Sequence, residues 1–271
     1  MTNSIILDSV THLTAAHRGQ AAYCASHAGA YAGYYAAKMG VGAVILNDAG
    51  IGREQAGIAG LLVLDKLGVP AAAIAHTTAR IGDGSDGVTR GQLSFVNARA
   101  RRFGLEPGLS CAAALHRLGL SPLVAASAPP PQAEARVALA DAGTDRVRVF
   151  AIDSNALVVP SDAGHIAITG SHGGLLGGKP ETAIKVDVRA AVYNDAGSGI
   201  DAAGISRLSA LDARGIAGAC VSCFSARIGD ARSTYDDGYI SALNEAAVKL
   251  GGAVGQSCRQ FVAAMVASAG H

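Results

Sequence analysis

The sequence predicts an α/β protein built as two duplicated lobes with mainly parallel sheets, related by a pseudo-twofold axis. Three observations carry this. The first is a long self-match. Sliding the chain by 145 positions puts Asp8-Ser9 on Asp153-Ser154 and SHAG (Ser26 to Gly29) on SHGG (Ser171 to Gly174). After a two-residue insertion the offset becomes 147, and NDAG at Asn47 to Gly50 falls on NDAG at Asn194 to Gly197, ARIGD at Ala79 to Asp83 on Ala226 to Asp230, and Ser110-Cys111 on Ser257-Cys258. From Asn47 to Cys111, 26 of 65 positions are identical without a gap. That exceeds what a shared bias towards Ala and Gly would give, over a unit the size of a small domain. The second observation is the alternation of continuous apolar runs with helical periodicity, as in parallel strands covered on both faces. The third is composition: 35 glycines and only 4% aromatic residues fit tight backbone packing and many strand-to-helix turns.

In the second copy, RVRVFAIDSNALVV reads as a strand ended by PSDAG, and HIAITGSHGG as a strand pairing with it in a hairpin around that turn. A helix is expected around Pro180 to Val186, then the strand AAVYNDAG. The next helix starts after Gly199, carries Ile205, Leu208 and Leu211 at helical spacing, and stops at Gly215. IAGACVSCFSARIGD reads as a further buried strand and Tyr235 to Leu250 as a helix. The first copy repeats the order, with VGAVILNDAG, a helix over Glu54 to Leu67, and VPAAAIAHTTARIGD. Strands are thus expected to end at Asp48, Asp83, Asp195 and Asp230. The lobes are assigned to residues 1–118 and 146–271, with a Pro- and Ala-rich linker over 119–145. Its consecutive Pro129, Pro130 and Pro131 fit neither a helix interior nor a central strand.

With 50% hydrophobic residues and a mean hydropathy of +0.30, the chain can bury a full core. Lys and Arg number 22 against 21 acids, so no basic field exists for nucleic acid or an anionic membrane. The start, MTNSIILDSV, lacks a basic segment followed by a long apolar one, and no apolar run reaches the roughly 18 residues of a membrane span. A cytoplasmic homo-oligomer acting on a small-molecule substrate is expected. Five cysteines are unsuited to a complete disulfide framework. CVSC (Cys220 to Cys223) lies in an apolar run without a second ligand pair, so zinc or redox duty is not expected of it.

In open parallel sheets ligands bind at the carboxyl ends of the strands, where SHAG or SHGG, NDAG and ARIGD all fall. His172 and His27 are therefore base or ligand candidates, and Ser171 a nucleophile candidate without a GxSxG elbow. Asp195 and Asp48 would orient a histidine or a water. Gly173 and Gly174, in the Gly-rich GSHGGLLGG, would offer backbone N–H groups to an anion or oxyanion. Asn194, Asn47, Arg227, Arg80 and Asp230 complete the substrate-binding set, with Arg227 holding an anionic group as a free fork. A plainer reading stands beside each: Asn and Asp before Gly form turns and caps, and Arg80 and Arg227 pair with Asp83 and Asp230. No cofactor is predicted. A divalent metal on Asp48, Asp83, Asp195 and Asp230 with His27 or His172 stays open, because no spacing specifies one.

The preferred expectation is a cofactor-independent enzyme for a small polar carboxylate or amide, hydrolysing a C–N or related bond. One alternative is an isomerase or racemase using Cys111 and Cys258, each after a Gly-x-Ser that would cap a short helix and lower the thiol pKa. Another is a non-catalytic metabolite-binding protein with one anion site per lobe.

Overall fold

The computed structural model describes residues 5–120 and 122–268. Met1 to Ser4, part of the segment read for targeting, and Ser121 in the linker lie outside the described residues. The first lobe is a five-stranded sheet in sequential order, β1 (Ile5–Leu7), β2 (Ala21–His27), β3 (Ala43–Asn47), β4 (Ala71–Ile74) and β5 (Leu93–Val96). The first four strands are parallel and β5 is antiparallel. The second lobe starts with an antiparallel edge strand, β6 (Arg136–Ala138), drawn from the linker. The same order follows in β7 (Val149–Ile152), β8 (Ile166–His172), β9 (Ala190–Asn194), β10 (Ala217–Val221) and antiparallel β11 (Ile240–Leu243). The duplication is therefore a duplication of topology.

Helices cover both faces. In the first lobe they are α1 (Ala30–Lys38), α2 (Ala59–Lys66), α3 (Gly84–Arg90), α4 (Ala98–Arg101) and α5 (Cys111–Gly119). The second has α6 (Arg207–Asp212), α7 (Ala231–Asp237), α8 (Glu245–Lys249) and α9 (Cys258–Ala267), which match α2 to α5 in order. The segment matching α1 holds only a 3-10 turn at Pro180–Thr182. Alternate residues of one strand serve opposite cores: Ala22 and Cys24 pack under α1 and α2, whereas Ala21, Tyr23 and Ala25 pack under α3 and α5. Some identities between copies are explained locally. Asn97 and Asn244 each accept from the first residue or two of a strand, Ala71 N–H at 3.0 Å and Gly218 N–H at 2.9 Å, and each caps the following helix.

Five sequence expectations need correction. The helices expected over Glu54 to Leu67 and after Gly199 start late: Arg53–Ile58 and Ile200–Ile205 are 3-10 segments broken by positive φ at Glu54, Gln55, Asp201 and Ala202, and α2 and α6 begin at Ala59 and Arg207. β7 and β8 are parallel rather than a hairpin; their connection, Asp153–His165, has the roughly dozen residues that a crossover needs, and PSDAG forms a 3-10 turn within it. The helix around Pro180 to Val186 reduces to the single 3-10 turn. Tyr235 to Leu250 is not one helix: the chain leaves α7 at Gly238, runs through β11, and restarts as α8 with Asn244 as cap. The strands before ARIGD end at Ile74 and Val221, so Asp83 and Asp230 are not strand ends but N-caps of α3 and α7. The apolar pattern runs on past the strands because Ile81 and Ile228 are buried with Ala49 and Ala196 in a small cluster between the lobes. Among the described residues no helix is long and apolar enough to cross a membrane.

Candidate functional site

β2 and β8 each carry a register break before their last residue, which sets His27 opposite Asn47 and His172 opposite Asn194 at the carboxyl ends of the sheets. The glycine two residues on decides the ring's state. Gly29 N–H donates to His27 Nδ1 at 3.1 Å, and Gly174 N–H donates to His172 Nδ1 at 3.1 Å. A Cβ at either glycine would meet that nitrogen at 2.6 or 3.0 Å, so SHxG is the spacing this bond requires. A neutral imidazole has one donor and one acceptor nitrogen; with Nδ1 accepting, the proton sits on Nε2. Burial lowers His27 to about 4. His172 is also held well below its ordinary value, first by burial and then by the charge of Arg207 and by His27. Near pH 7 both rings are neutral Nε2–H donors. Their centroids lie 6.3 Å apart, nearly perpendicular at 77°. Each ring also abuts the other lobe: a Cβ on Gly82 would lie 3.6 Å from His172 Cε1, and one on Gly229 3.6 Å from His27 Cε1.

Both histidines line a cavity of about 360 Å³ between the lobes. Ser26 and Ser171 also line it, but each hydroxyl accepts a backbone N–H from the loop after β1 or the matching β7, Val10 at 2.8 Å and Asn155 at 2.9 Å. Glu134, from the linker, faces the same cavity, and its carboxyl is raised to about 7 by burial and by the charge of Asp153, against a hydrogen bond with Ser154. Arg207, at the start of α6, lines it as well and is 3% exposed. Its Nη1 donates to the carbonyls of Thr182 and Ala183, and its guanidinium carbon lies 5.2 Å from the Tyr193 ring centroid. Nε is buried without a hydrogen-bond partner. Glu134 and Arg207 are absent from the sequence-derived set. The signal for Arg207 is its alignment with Gly60 inside an otherwise matched stretch.

Comparison with protein-family models, with curated proteins and with solved structures gave no match.

The other sequence-derived residues form a seam between the lobes, beside the cavity rather than on its wall. Asn47 and Asn194 each accept from a backbone N–H two residues on, Ala49 and Ala196, both at 2.9 Å. Asp48 accepts from Gly50 N–H and His76 N–H and pairs with His76 Nδ1 at 2.8 Å. Burial pushes Asp48 upward, but the hydrogen bonds from His76 and Ser94 and the His76 charge outweigh it, and its pKa falls. Asp195 accepts from Gly197 N–H, Cys223 N–H and Ser241 Oγ rather than meeting His172. The two turns touch across the axis: a Cβ on Gly50 would come within 2.9 Å of Gly197 Cα. Arg53 N–H donates to Cys223 O at 2.8 Å, and Ile200 N–H to His76 O at 2.9 Å. Ala49, Ile51, Glu54 and Gln55 all have positive φ, as do Ala196, Ser198, Asp201 and Ala202 at the matching positions. A non-glycine residue held there is strained by about 1 kcal/mol or more, so both copies retain the same unfavourable loop where the lobes interlock.

Arg80 and Arg227 are not free forks. Arg80 pairs with Asp201 at 2.9 Å, and Arg227 with Asp230 at 2.9 Å and with Glu54 of the other lobe at 3.2 Å. Gly173 N–H donates to Asn194 O and Gly174 N–H to His172, so neither amide is free for an oxyanion. Cys111 and Cys258 do start helices capped by Ser110 and Ser257, but each is fully buried in its own lobe's core, and burial raises both thiols to about 12 rather than lowering them. They share no cleft. Among the described residues no group of three or more His, Cys, Asp or Glu side chains stands as a metal-ligand set.

Proposed function

We propose that the protein is an enzyme acting on a small polar carboxylate or amide, hydrolysing a C–N bond at a carbonyl with its own side chains. The observation that carries this reading is the pair of neutral imidazoles. Each has Nδ1 committed to a backbone N–H, so each presents Nε2–H. Low pKa values suit this role, because a ring that resists protonation remains a neutral donor aimed at developing negative charge. His27 and His172 hold the substrate's carbonyl oxygen and stabilise the oxyanion. Glu134, with a pKa of about 7 in the same cavity, takes a proton from water as the water oxygen adds to the carbonyl carbon. The tetrahedral adduct collapses, the C–N bond breaks, and Glu134 returns its proton to the leaving nitrogen. Water and amide become acid and amine.

The same Glu134 and imidazole pair also suits proton abstraction next to a carbonyl, an isomerase reading that needs neither thiol. Turnover of a panel of small amides and carboxylates in ¹⁸O-water and in ²H-water separates the two: oxygen label in the product marks hydrolysis, and carbon-bound deuterium in recovered substrate marks isomerisation. His27→Gln or His172→Gln each lower kcat by about 10²- to 10³-fold, the usual effect of one oxyanion donor. Glu134→Gln lowers it by at least about 10²-fold. Since Glu134 acts deprotonated, kcat/KM rises with pH and levels off above about 7. Binding without turnover across the panel, or histidine variants as active as wild type, would overturn the proposal.

A further inference from the structure

Arg207 carries a charge that no anionic side chain among the described residues pairs with. It is 3% exposed, and among the described residues it forms no ion pair; its Nη1 contacts are neutral carbonyls and its Nε has no partner. A buried guanidinium without an anion is unfavourable, and removing it from water pulls its pKa down. The residue lines the same cavity as the two histidines and lies close enough to His172 for its charge to depress that ring.

We propose that Arg207 is the anion-binding residue of the cavity, and that its ligand is a single carboxylate on the small molecule whose carbonyl the histidines face. This rests on the reading above for the carbonyl, and on Arg207 alone for the anion. A carboxylate matches the planar fork, whose Nε has no hydrogen-bond partner in the protein. A dianion fits less well, because Glu134, Asp153 and Glu181 also line the cavity against Arg207 and Lys185. There is one such subsite per chain. The matching position in the first lobe is Gly60, where a Cβ would already meet Gly29 O at 2.4 Å because α1 crosses there. Loss of that helix in the second lobe makes room for the arginine, and the duplication has become one-sided.

The test is calorimetric titration of the full chain at pH 7 with sodium acetate and, in a second arm, inorganic phosphate, each against sodium chloride at matched ionic strength. Acetate is expected to saturate with one site per chain and to bind more tightly than phosphate, and Arg207→Gln to weaken it at least tenfold. Acetate binding no better than chloride, two equivalent sites, tighter binding of phosphate, or undiminished binding by a folded Arg207→Gln would each overturn the proposal. If that variant does not fold, ring-labelled histidine in the wild type decides: a saturable acetate-induced shift of His172 supports the subsite, and shifts confined to other histidines contradict it. Binding needs no turnover, so acetate binding beside inactive chemistry would sink the hydrolase reading and leave this one standing.

Discussion

The two lobes share a strand order and the SHxG histidines, and beyond those two rings, where they agree and disagree divides assembly from anion binding. NDAG and ARIGD are identical in both, and in both they build the seam: Asx turns, cross-lobe ion pairs and the contact of Gly50 with Gly197. The cavity wall around the shared serines and histidines is where the copies part. The first lobe has α1 packed on Gly60; the second has an open 3-10 segment and Arg207. Identity between duplicated units can mark what a pseudo-symmetric interface requires of both sides, and divergence can mark where one side has taken on a ligand.

The seam is broken most severely at its glycines. Gly197 has a φ of +73°, and a Cβ there would meet His76 Cδ2 at 2.9 Å and Gly50 Cα at 3.0 Å. Gly197→Ala and Gly50→Ala are each expected to cost about 3 kcal/mol in urea unfolding, combining positive-φ strain with backbone overlap. Losses under about 1 kcal/mol would mean that the turns do not meet.

Acid sharpens the comparison at the histidines, which are the same in both lobes. His27 falls from 6.5 to about 4 on folding, so below pH 6.5 the unfolded chain binds the proton first. Stability is full above that value and declines as pH falls towards 4, by about 3 kcal/mol from His27 alone. Urea midpoints measured between pH 7 and pH 4.5 check this, and His27→Gln should flatten the slope. Smallest is the effect at the thiols: Cys258→Ala should cost about 1 kcal/mol and leave kcat within about twofold, because the thiol only fills core. Loss of several orders of magnitude in rate would restore a thiolate mechanism.

Much of the fold is legible in the sequence, since parallel strands buried on both faces leave unbroken apolar runs such as VGAVILN, and the repeat gives two readings of every element. The parallel pairing of β7 with β8 is not, because PSDAG is a good turn signal whether the chain returns as a hairpin or crosses over. Nor is β11: Ile240–Leu243 is short and half-buried, and helix-forming residues flank it. At the site, SHxG is readable as a strand-end motif, but the direction of its amides, towards the imidazole rather than a ligand, needs coordinates. Arg80 and Arg227 are legible in part. The plainer reading names the local pair of Arg227 with Asp230, which forms at 2.9 Å. Asp201 and Glu54, which hold the same two arginines, come from the other lobe, and no local spacing reveals them. Glu134 lies in a Pro-rich linker, where a lone carboxylate reads as solvated.

The most direct measurement of the central claim is ring ¹⁵N NMR of the eight histidines, with His27 and His172 assigned by substitution. Both should appear as neutral Nε2–H rings, with Nδ1 as acceptor, and neither should titrate between pH 8 and pH 5. If either ring proves to carry its proton on Nδ1, or titrates near 6.5 like an exposed imidazole, the paired-donor account of the cavity is contradicted.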